Sequence, residues 1–498
     1  MKDKKNTPKS PRKKKITRRQ FLSTAALTTA GLSAAYANTN LLAVAPAKLK
    51  SSSPSEKINI AGIGIGGMGK WNMAELAGLE VTKVDKKKTI GDDLGNGENI
   101  VALCDVDFDH SAEAFELFPK AAKYKDYREM FDKENIDAVV IATPDHTHAA
   151  IAMEAIRRGK HVYLQKPMTY TVTEARVVTE AARKAGVATQ MGNQGRSDEG
   201  SRLICEWIWD GAIGDVHRVD MWTNRAIWPQ GISRPSETPP VPSTLDWDKW
   251  LGPAPYRPYH PAYLPRFWRG WWDFGTGALG DMGCHIMDPA FWALKLGAPE
   301  SVEASASQRR LPNKNSDWGY RDESFETFPT ASIVHYKFGA RGKMGPVKVN
   351  WYDGGLKPPR PDFLEKGRRM GEGGDVGSAG DNGVIFYGDK GALMCGAYGK
   401  SPRLIPETDM KAYKRPEKTI PRVEDSHEKD WVRACKGGPK AGSNFEYAGP
   451  FTEAVLLGNI ATRFAGKKLE WDGKEMKFTN LEEANEFVHR PYRKGWSL

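Results

Sequence analysis

Cysteine is scarce in this chain: Cys104, Cys205, Cys284, Cys395 and Cys435 are the only five in 498 residues, and no two form a CxxC pair. That scatter excludes a disulfide framework and a thiolate zinc site, so no structural metal is expected. Long apolar runs are missing as well. The most membrane-like stretch, after Phe21-Leu22, is short and rich in Ala and Thr, so no membrane span is expected. A basic surplus is present only on paper. Residues 1–37 hold seven Lys, three Arg and one Asp, a net +9 of the chain's +11, which leaves about +2 for the remainder. No nucleic-acid partner is expected of so balanced a surface. Internal repeats are also lacking.

The basic N-terminus has its own logic. Lys2 to Lys15 lead into Thr17-Arg18-Arg19-Gln20-Phe21-Leu22, and a mildly apolar run follows to Ala35-Tyr36-Ala37. This is the order of a secretory leader with an A-x-A-like cleavage site. The paired arginines point to the twin-arginine export machinery as a partner. Residues 1–37 are therefore read as a signal peptide and 38–56 as a Ser- and Pro-rich linker, with Ala45-Pro46-Ala47 as a second possible cut. A periplasmic or otherwise exported location follows.

Past the linker, the alternating run Ile58 to Ile63 delivers the chain into Gly64-Ile65-Gly66-Gly67-Met68-Gly69. A strand, a Gly-x-Gly-x-x-Gly turn and a helix beginning near Lys70 make a dinucleotide fingerprint. Its glycines permit a tight turn, close approach of a pyrophosphate and helix–strand packing. The acidic partner for the adenosine ribose is Asp105, at the end of Ile100 to Cys104. It comes later than the roughly 20 residues usual for this fold; the polar insertion Lys83 to Asn99 accounts for the excess. A carboxylate there bonds a 2′-hydroxyl and repels a 2′-phosphate, so NAD is expected, with NADP the less suited cofactor.

Strands expected at 58–63, 100–104, 136–142, 161–164 and 187–190 alternate with helical patterns. That alternation means a doubly wound parallel sheet, a Rossmann domain over 57–192. From Asn193 onward Trp, Tyr and Pro become frequent, and strand-like runs take over: 216–222, 301–307, 331–338, 347–351 and 383–388. They imply a C-terminal α+β domain, 193–498, built on a large, mostly antiparallel open sheet. One face of such a sheet needs cover, which suggests a homodimer or homotetramer packed through it. The Gly- and charge-rich stretch Pro358 to Asp381 reads as a long loop, a lid or simply mobile.

Three groups carry the chemistry. Thr143-Pro144-Asp145-His146-Thr147-His148 follows the expected strand 136–142, where Thr143 and Pro144 are placed to hold the ribose and nicotinamide half and His148 to touch cofactor or substrate. The plainer role of those histidines is to cap the next helix. Lys166-Pro167 ends another strand, and the proline fixes an extended lysine whose ammonium can steady a developing alkoxide. Asp281 and His285, four apart on an expected helix, share one face, the carboxylate orienting an imidazole base. Taken singly, each motif also has a structural reading: a surface lysine, an N-cap aspartate, a satisfied buried histidine.

The order of these motifs, with Cys104-Asp105-Val106-Asp107 between them, resembles the glucose–fructose oxidoreductase and inositol dehydrogenase family, Gfo/Idh/MocA. The resemblance covers essentially everything after the leader. It implies a catalytic set of Lys166, Asp281 and His285. Gln165 departs from the family, which usually has Glu before Lys-Pro, and so removes a charge beside the lysine. A carbohydrate substrate fits the donors and flat faces of Trp222, Asn224, Arg225, Trp228, Trp268, Arg269, Trp271 and Trp272, of which Arg225 and Trp228 are the chosen contacts.

The expectation is an exported oxidoreductase moving hydride between a sugar hydroxyl and a tightly held NAD. The alternative is a redox-neutral NAD-dependent glycosidase, which oxidises, eliminates, hydrates and reduces again. It requires an extra base, for which His148 and Tyr263 are candidates. A third reading, a carbohydrate-binding protein on a retired enzyme fold, is opposed by the intact Lys166, Asp281 and His285.

Overall fold

The structure, a computed structural model, describes residues 56–79, 97–313, 316–321, 326–371 and 382–498. The signal segment, most of the linker and most of the polar insertion lie outside the described residues, as does the end of the 358–381 stretch.

Ile, Val and Ala runs with both faces buried make the first sheet, as a parallel sheet covered on both sides requires. Its strands are β1 (Asn59–Ile63), β2 (Asn99–Cys104), β3 (Ala122–Tyr124), β4 (Ala138–Ile141), β5 (His161–Leu164) and β6 (Thr189–Met191). They lie in the order β3-β2-β1-β4-β5-β6, every pair parallel. The three-residue β3 was not anticipated; it is too short to show a pattern. Chain direction across the sheet reverses between β1 and β4, so their carboxyl ends open a crevice. Gly64 and Thr143 both sit there.

The helix Val172–Ala185 shows how local sequence fixes an entry angle. Thr171 accepts from the Glu174 amide, and Glu174 Oε2 accepts from the Thr171 amide, a reciprocal cap. The other carboxylate oxygen of Glu174 accepts from Arg490 Nε (3.1 Å) and the Tyr492 hydroxyl (2.7 Å), so one N-cap also ties down the C-terminal tail.

The second sheet is built from β7 (Val216–Trp222), β8 (Ser301–Ala306), β11 (Ser332–Phe338), β12 (Val347–Tyr352), β13 (Gly383–Gly388), β14 (Ala392–Cys395), β15 (Arg403–Ile405), β16 (Lys468–Asp472) and β17 (Lys477–Phe478). The strands β9 (Arg310–Asn313) and β10 (Ser316–Arg321) form a separate hairpin. Strand order is β15-β14-β13-β7-β12-β11-β8-β16-β17, antiparallel throughout except for the parallel β7–β12 pair. One face, with Val219, Val302, Tyr336, Val349, Trp351 and Phe386, packs into the main core with the helices Phe445–Arg463 and Gly277–Ile286. Gly458 is required on the first of these helices: a Cβ there would lie 2.0 Å from the Tyr336 hydroxyl.

The opposite face is polar in its middle, with Glu303, His335, Lys337, Lys348 and Asn350 exposed or half-buried. Toward β13–β15 the same side is apolar, and Leu364 and Met370 pack on Trp222, Ile385, Met394 and Ile405. The described part of the 358–381 loop is therefore a back cover for the sheet, and none of it lines the cavity at the strand ends.

His161 opens β5 and is 8% exposed. Its Nδ1 accepts a hydrogen bond from the Ala188 amide at 2.9 Å, which only an unprotonated nitrogen can do. Burial pushes its pKa down to about 4. An unfolded histidine titrates near 6.5, so between about 6.5 and 4 the unfolded chain takes up a proton that the native one refuses. Stability is thus lost as pH falls through this window, by about 1.4 kcal/mol per pH unit from this site. Urea unfolding at about pH 7 and about pH 5 is expected to show it, and His161→Asn, which keeps an acceptor for Ala188, to flatten that part of the slope.

Candidate active site

The turn after β1 is a floor of bare backbone. Gly64 has φ +78°, and a Cβ on it would lie 2.6 Å from the Thr143 amide nitrogen. A Cβ on Gly69 would lie 2.2 Å from the Gly64 carbonyl oxygen, whereas Gly67 faces open space. The helix Met68–Leu76 begins at Gly67 without a side-chain cap, leaving its first amides for an anion. The set therefore fits a dinucleotide pyrophosphate. Asp105 stands beside the turn, and its Oδ2 accepts from the amides of Ile65 (2.8 Å) and Gly66 (3.2 Å). Burial raises its pKa, and the amides of Asp107 and Ile65 oppose the rise.

A cavity of about 520 Å³ runs from this turn across the sheet's edge. Gly64, Gly66, Gly67, Met68 and Asp105 line one end, Thr143, Pro144 and Lys166 the middle, and Arg225, Trp228, Asp281 and His285 the other. Gly69 packs behind the turn. All the expected contacts share one cleft except Gly69 and His148.

His148 is the first correction. It is fully buried, with Nδ1 2.9 Å from the Pro167 carbonyl and Nε2 2.8 Å from the Thr143 carbonyl, and it does not reach the cavity. It ties the β4 turn to the Lys166-Pro167 turn. Its neighbours do likewise for the incoming segment. Asp145 accepts from the Thr276 hydroxyl (2.5 Å), and the His146 ring lies between the carbonyls of Phe274 (3.1 Å) and Trp250 (3.0 Å). Through Asp145 and His146 the turn is thus a clamp that holds Phe274 and Thr276, at the entry to the next helix, against the strand ends.

Asp281 is the second correction. It lies inside the helix Gly277–Ile286, a turn past its start, and so is no N-cap. Nor does it hold His285. Its carboxylate meets Lys166 Nζ at 2.8 Å, Arg269 Nε at 3.2 Å and Arg225 Nε at 3.6 Å, and its carbonyl also accepts from Lys166 at 2.6 Å. Burial alone would raise the Asp281 pKa; the Lys166, Arg269 and Arg225 charges win and hold it well below the usual carboxylate range. His285 instead rests against the Tyr398 ring, centroids 4.5 Å apart, with its buried Nδ1 unpartnered among the described residues. Burial, then the Lys166 charge, pushes its pKa well below 6.5, so the ring is neutral.

Gln165 has a place of its own. Its amide donates to Asn72 Oδ1 (3.0 Å), and Asn72 donates to Glu428 (2.7 Å), so a buried carboxylate stands two hydrogen bonds behind the lysine turn.

Of the other aromatic candidates, Trp268 lines the cavity, as does Arg269. Trp222 belongs to the back of the second sheet, Trp271 to a separate aromatic core, and Trp272 stacks on Phe328. Tyr263 is in that aromatic core too, 2% exposed and away from the cavity. Gln194, Arg266, Tyr398 and Trp496 also line it and carried no sequence signal. Tyr398 adopts φ +62°, which nothing local in Ala397-Tyr398-Gly399 announces. Among the described residues no cluster suited to a metal ion occurs, and no helix is long and apolar enough to cross a membrane.

A parallel sheet with a glycine turn at its reversal point, facing a helix from a second, mixed sheet, defines a two-domain protein of the dinucleotide-binding class. Residues 58–193 match the family described as oxidoreductase family, NAD-binding Rossmann fold, and 218–319 match its C-terminal alpha/beta domain. The chain belongs to the Gfo/Idh/MocA oxidoreductase family. It is 27% identical over 201 residues to scyllo-inositol 2-dehydrogenase (NADP(+)) of Bacillus subtilis, covering 40% of this chain and 46% of that protein. It is 28% identical over 180 residues to levoglucosan dehydrogenase of Pseudarthrobacter phenanthrenivorans, covering 36% and 38%. The matches thus span less than half the length of these curated relatives. The fold is shared with the WlbA dehydrogenase of Bordetella pertussis, solved with NADH and UDP-GlcNAcA: TM-score 0.55 and 17% identity over 84% of this chain and 99% of that one.

Asp281→Asn is expected to leave Lys166, Arg225 and Arg269 facing one another without an anion. Removing one partner of a buried ion pair costs about 3 kcal/mol or more. Urea unfolding at neutral pH should register a loss of that order, and a change below about 0.5 kcal/mol would contradict the assignment of Asp281 as the hub of the cluster.

Proposed function

We propose that this protein is an exported, NAD-dependent dehydrogenase that moves hydride between a sugar hydroxyl and a nicotinamide it holds tightly. The observation carrying this reading is the single cavity that joins the glycine turn to Lys166, Asp281 and His285. The family match and the inositol and levoglucosan dehydrogenase relatives support the reaction class. Asp105, beside the turn, supports NAD over NADP.

When bound, the nicotinamide supplies the hydride acceptor. Neutral His285 takes the hydroxyl proton. The Lys166 ammonium faces the oxygen as it becomes an alkoxide, where a fixed cation in a sheltered site stabilises the developing charge. Asp281 acts through Lys166: two bonds to one ammonium, from carboxylate and carbonyl, fix where that charge sits. Gly64, Gly66, Gly67 and the amides of Met68 and Gly69 would hold the pyrophosphate.

Export rests on the leader, Arg18-Arg19 above all. A protein folded before export and working where free NAD is scarce must carry its cofactor with it. The dehydrogenase is favoured over the redox-neutral glycosidase because both candidate elimination bases, His148 and Tyr263, stand outside the cavity.

Protein purified without its leader and then denatured is expected to release about one NAD or NADH per chain; an empty protein that binds NAD only weakly would refute the resident cofactor. His285→Asn and Lys166→Met are each expected to lower kcat by about 10²- to 10⁴-fold while the dinucleotide is retained. A loss of bound dinucleotide in parallel with activity would assign them to binding instead.

A further inference from the structure

The charge around Asp281 does not balance. One carboxylate is matched by three cations, Lys166, Arg225 and Arg269, whose side chains are 14%, 21% and 30% exposed, and all three line the cavity. Pairing a buried aspartate needs one cation. The second carboxylate at this end, Asp145, is turned to the Thr276 hydroxyl. Arg266 lines the same wall and adds to the excess.

The guanidinium groups are only partly used. Arg225 spends Nε on Asp281 and Nη1 on Asn224 Oδ1 (2.7 Å). Arg269 spends Nε on Asp281 and Nη1 on the Arg266 carbonyl (3.4 Å). Their Nη2 groups have no partner among the described residues. Each Nη2 carries two N–H donors, so both planar forks keep donors free for the oxygens of an anionic group such as a carboxylate. Trp268, whose ring Arg269 covers at 4.2 Å, and Trp228 give the same wall apolar faces.

We propose that the substrate is an acidic sugar, a uronate or related sugar carboxylate, whose carboxylate lies between Arg225 and Arg269 while its reacting hydroxyl meets Lys166 and His285. This rests on the dehydrogenase reading given above. The bound carboxylate offsets part of the surplus positive charge and takes up free N–H donors of both arginines. A neutral sugar does neither, and leaves both arginines to water. Electrostatic selection of this kind weakens as salt screens it.

The test uses the cofactor-loaded protein and matched pairs, glucuronate with glucose and galacturonate with galactose, alongside glucose 6-phosphate. Initial rates of nucleotide reduction are measured at low and high salt, and binding by calorimetry. The uronates are expected to exceed their neutral parents in kcat/KM by about tenfold or more, mostly through KM, with the advantage shrinking at high salt. Because both arginines also pair with Asp281, R225Q and R269Q are each expected to lower kcat/KM for every sugar but more for the uronates, so that the ratio of uronate to neutral parent falls toward one; the salt series on the unaltered protein does not depend on either variant folding. Neutral sugars equal to or better than uronates at low salt would overturn the proposal, as would glucose 6-phosphate ahead of both. If no sugar reduces the nucleotide yet uronates bind and R269Q abolishes that binding, the acidic ligand stands and the dehydrogenase reading falls.

Discussion

A buried carboxylate must be neutralised, and the way Asp281 meets that demand organises the active end of the molecule. Its partners come from three separate segments: Lys166 from the end of β5, Arg225 from just past β7, and Arg269 from the 3-10 turn Phe267–Gly270. The same interaction therefore joins the parallel sheet to the chain that follows it and sets the lysine in place. Nothing in the cluster works in isolation. Asp145 and His146 hold Thr276 and Phe274, the residues leading into the helix Gly277–Ile286, and so bring it close enough for the pairing to occur.

Histidine serves two ends here. His146, His148 and His161 are buried and hold carbonyls or an amide, so their ring nitrogens are committed to the fold. His285 is buried too, yet its Nδ1 is left without a partner and its ring lies at the cavity wall. Residue type and spacing do not separate these cases. What separates them is whether a backbone group happens to face the ring, and that is a property of tertiary packing.

This difference marks how far the sequence could be read. The parallel sheet was legible because β1, β2, β4 and β5 are continuous apolar runs ending in turn residues, and because glycines at 64, 66 and 69 have a steric reason to be glycine. Lys166, Asp281 and His285 were legible as a group, brought together from 115 or more residues apart by the strand-end rule and the family resemblance. Their pairing was not. Spacing of i, i+4 puts Asp281 and His285 on one side of a helix, but a lysine from another element outcompetes the neighbouring imidazole for the carboxylate. Tryptophans misled in the same way: flat indole faces bury equally well in a core or a cleft, so Trp271 and Trp228 look alike until packed. Tyr398 and Trp496 reach the cavity only through long-range folding of the chain.

The bond from Asp105 to the glycine turn has a consequence for redesign. The carboxylate that would set the choice of dinucleotide also anchors the Ile65 and Gly66 amides. Exchanging it for a small neutral or basic residue, the obvious route to accepting a 2′-phosphate, would at the same time release the loop that must grip the pyrophosphate. Discrimination and grip are coupled through one side chain, so an altered cofactor preference needs a second acceptor built beneath the turn before the first is taken away.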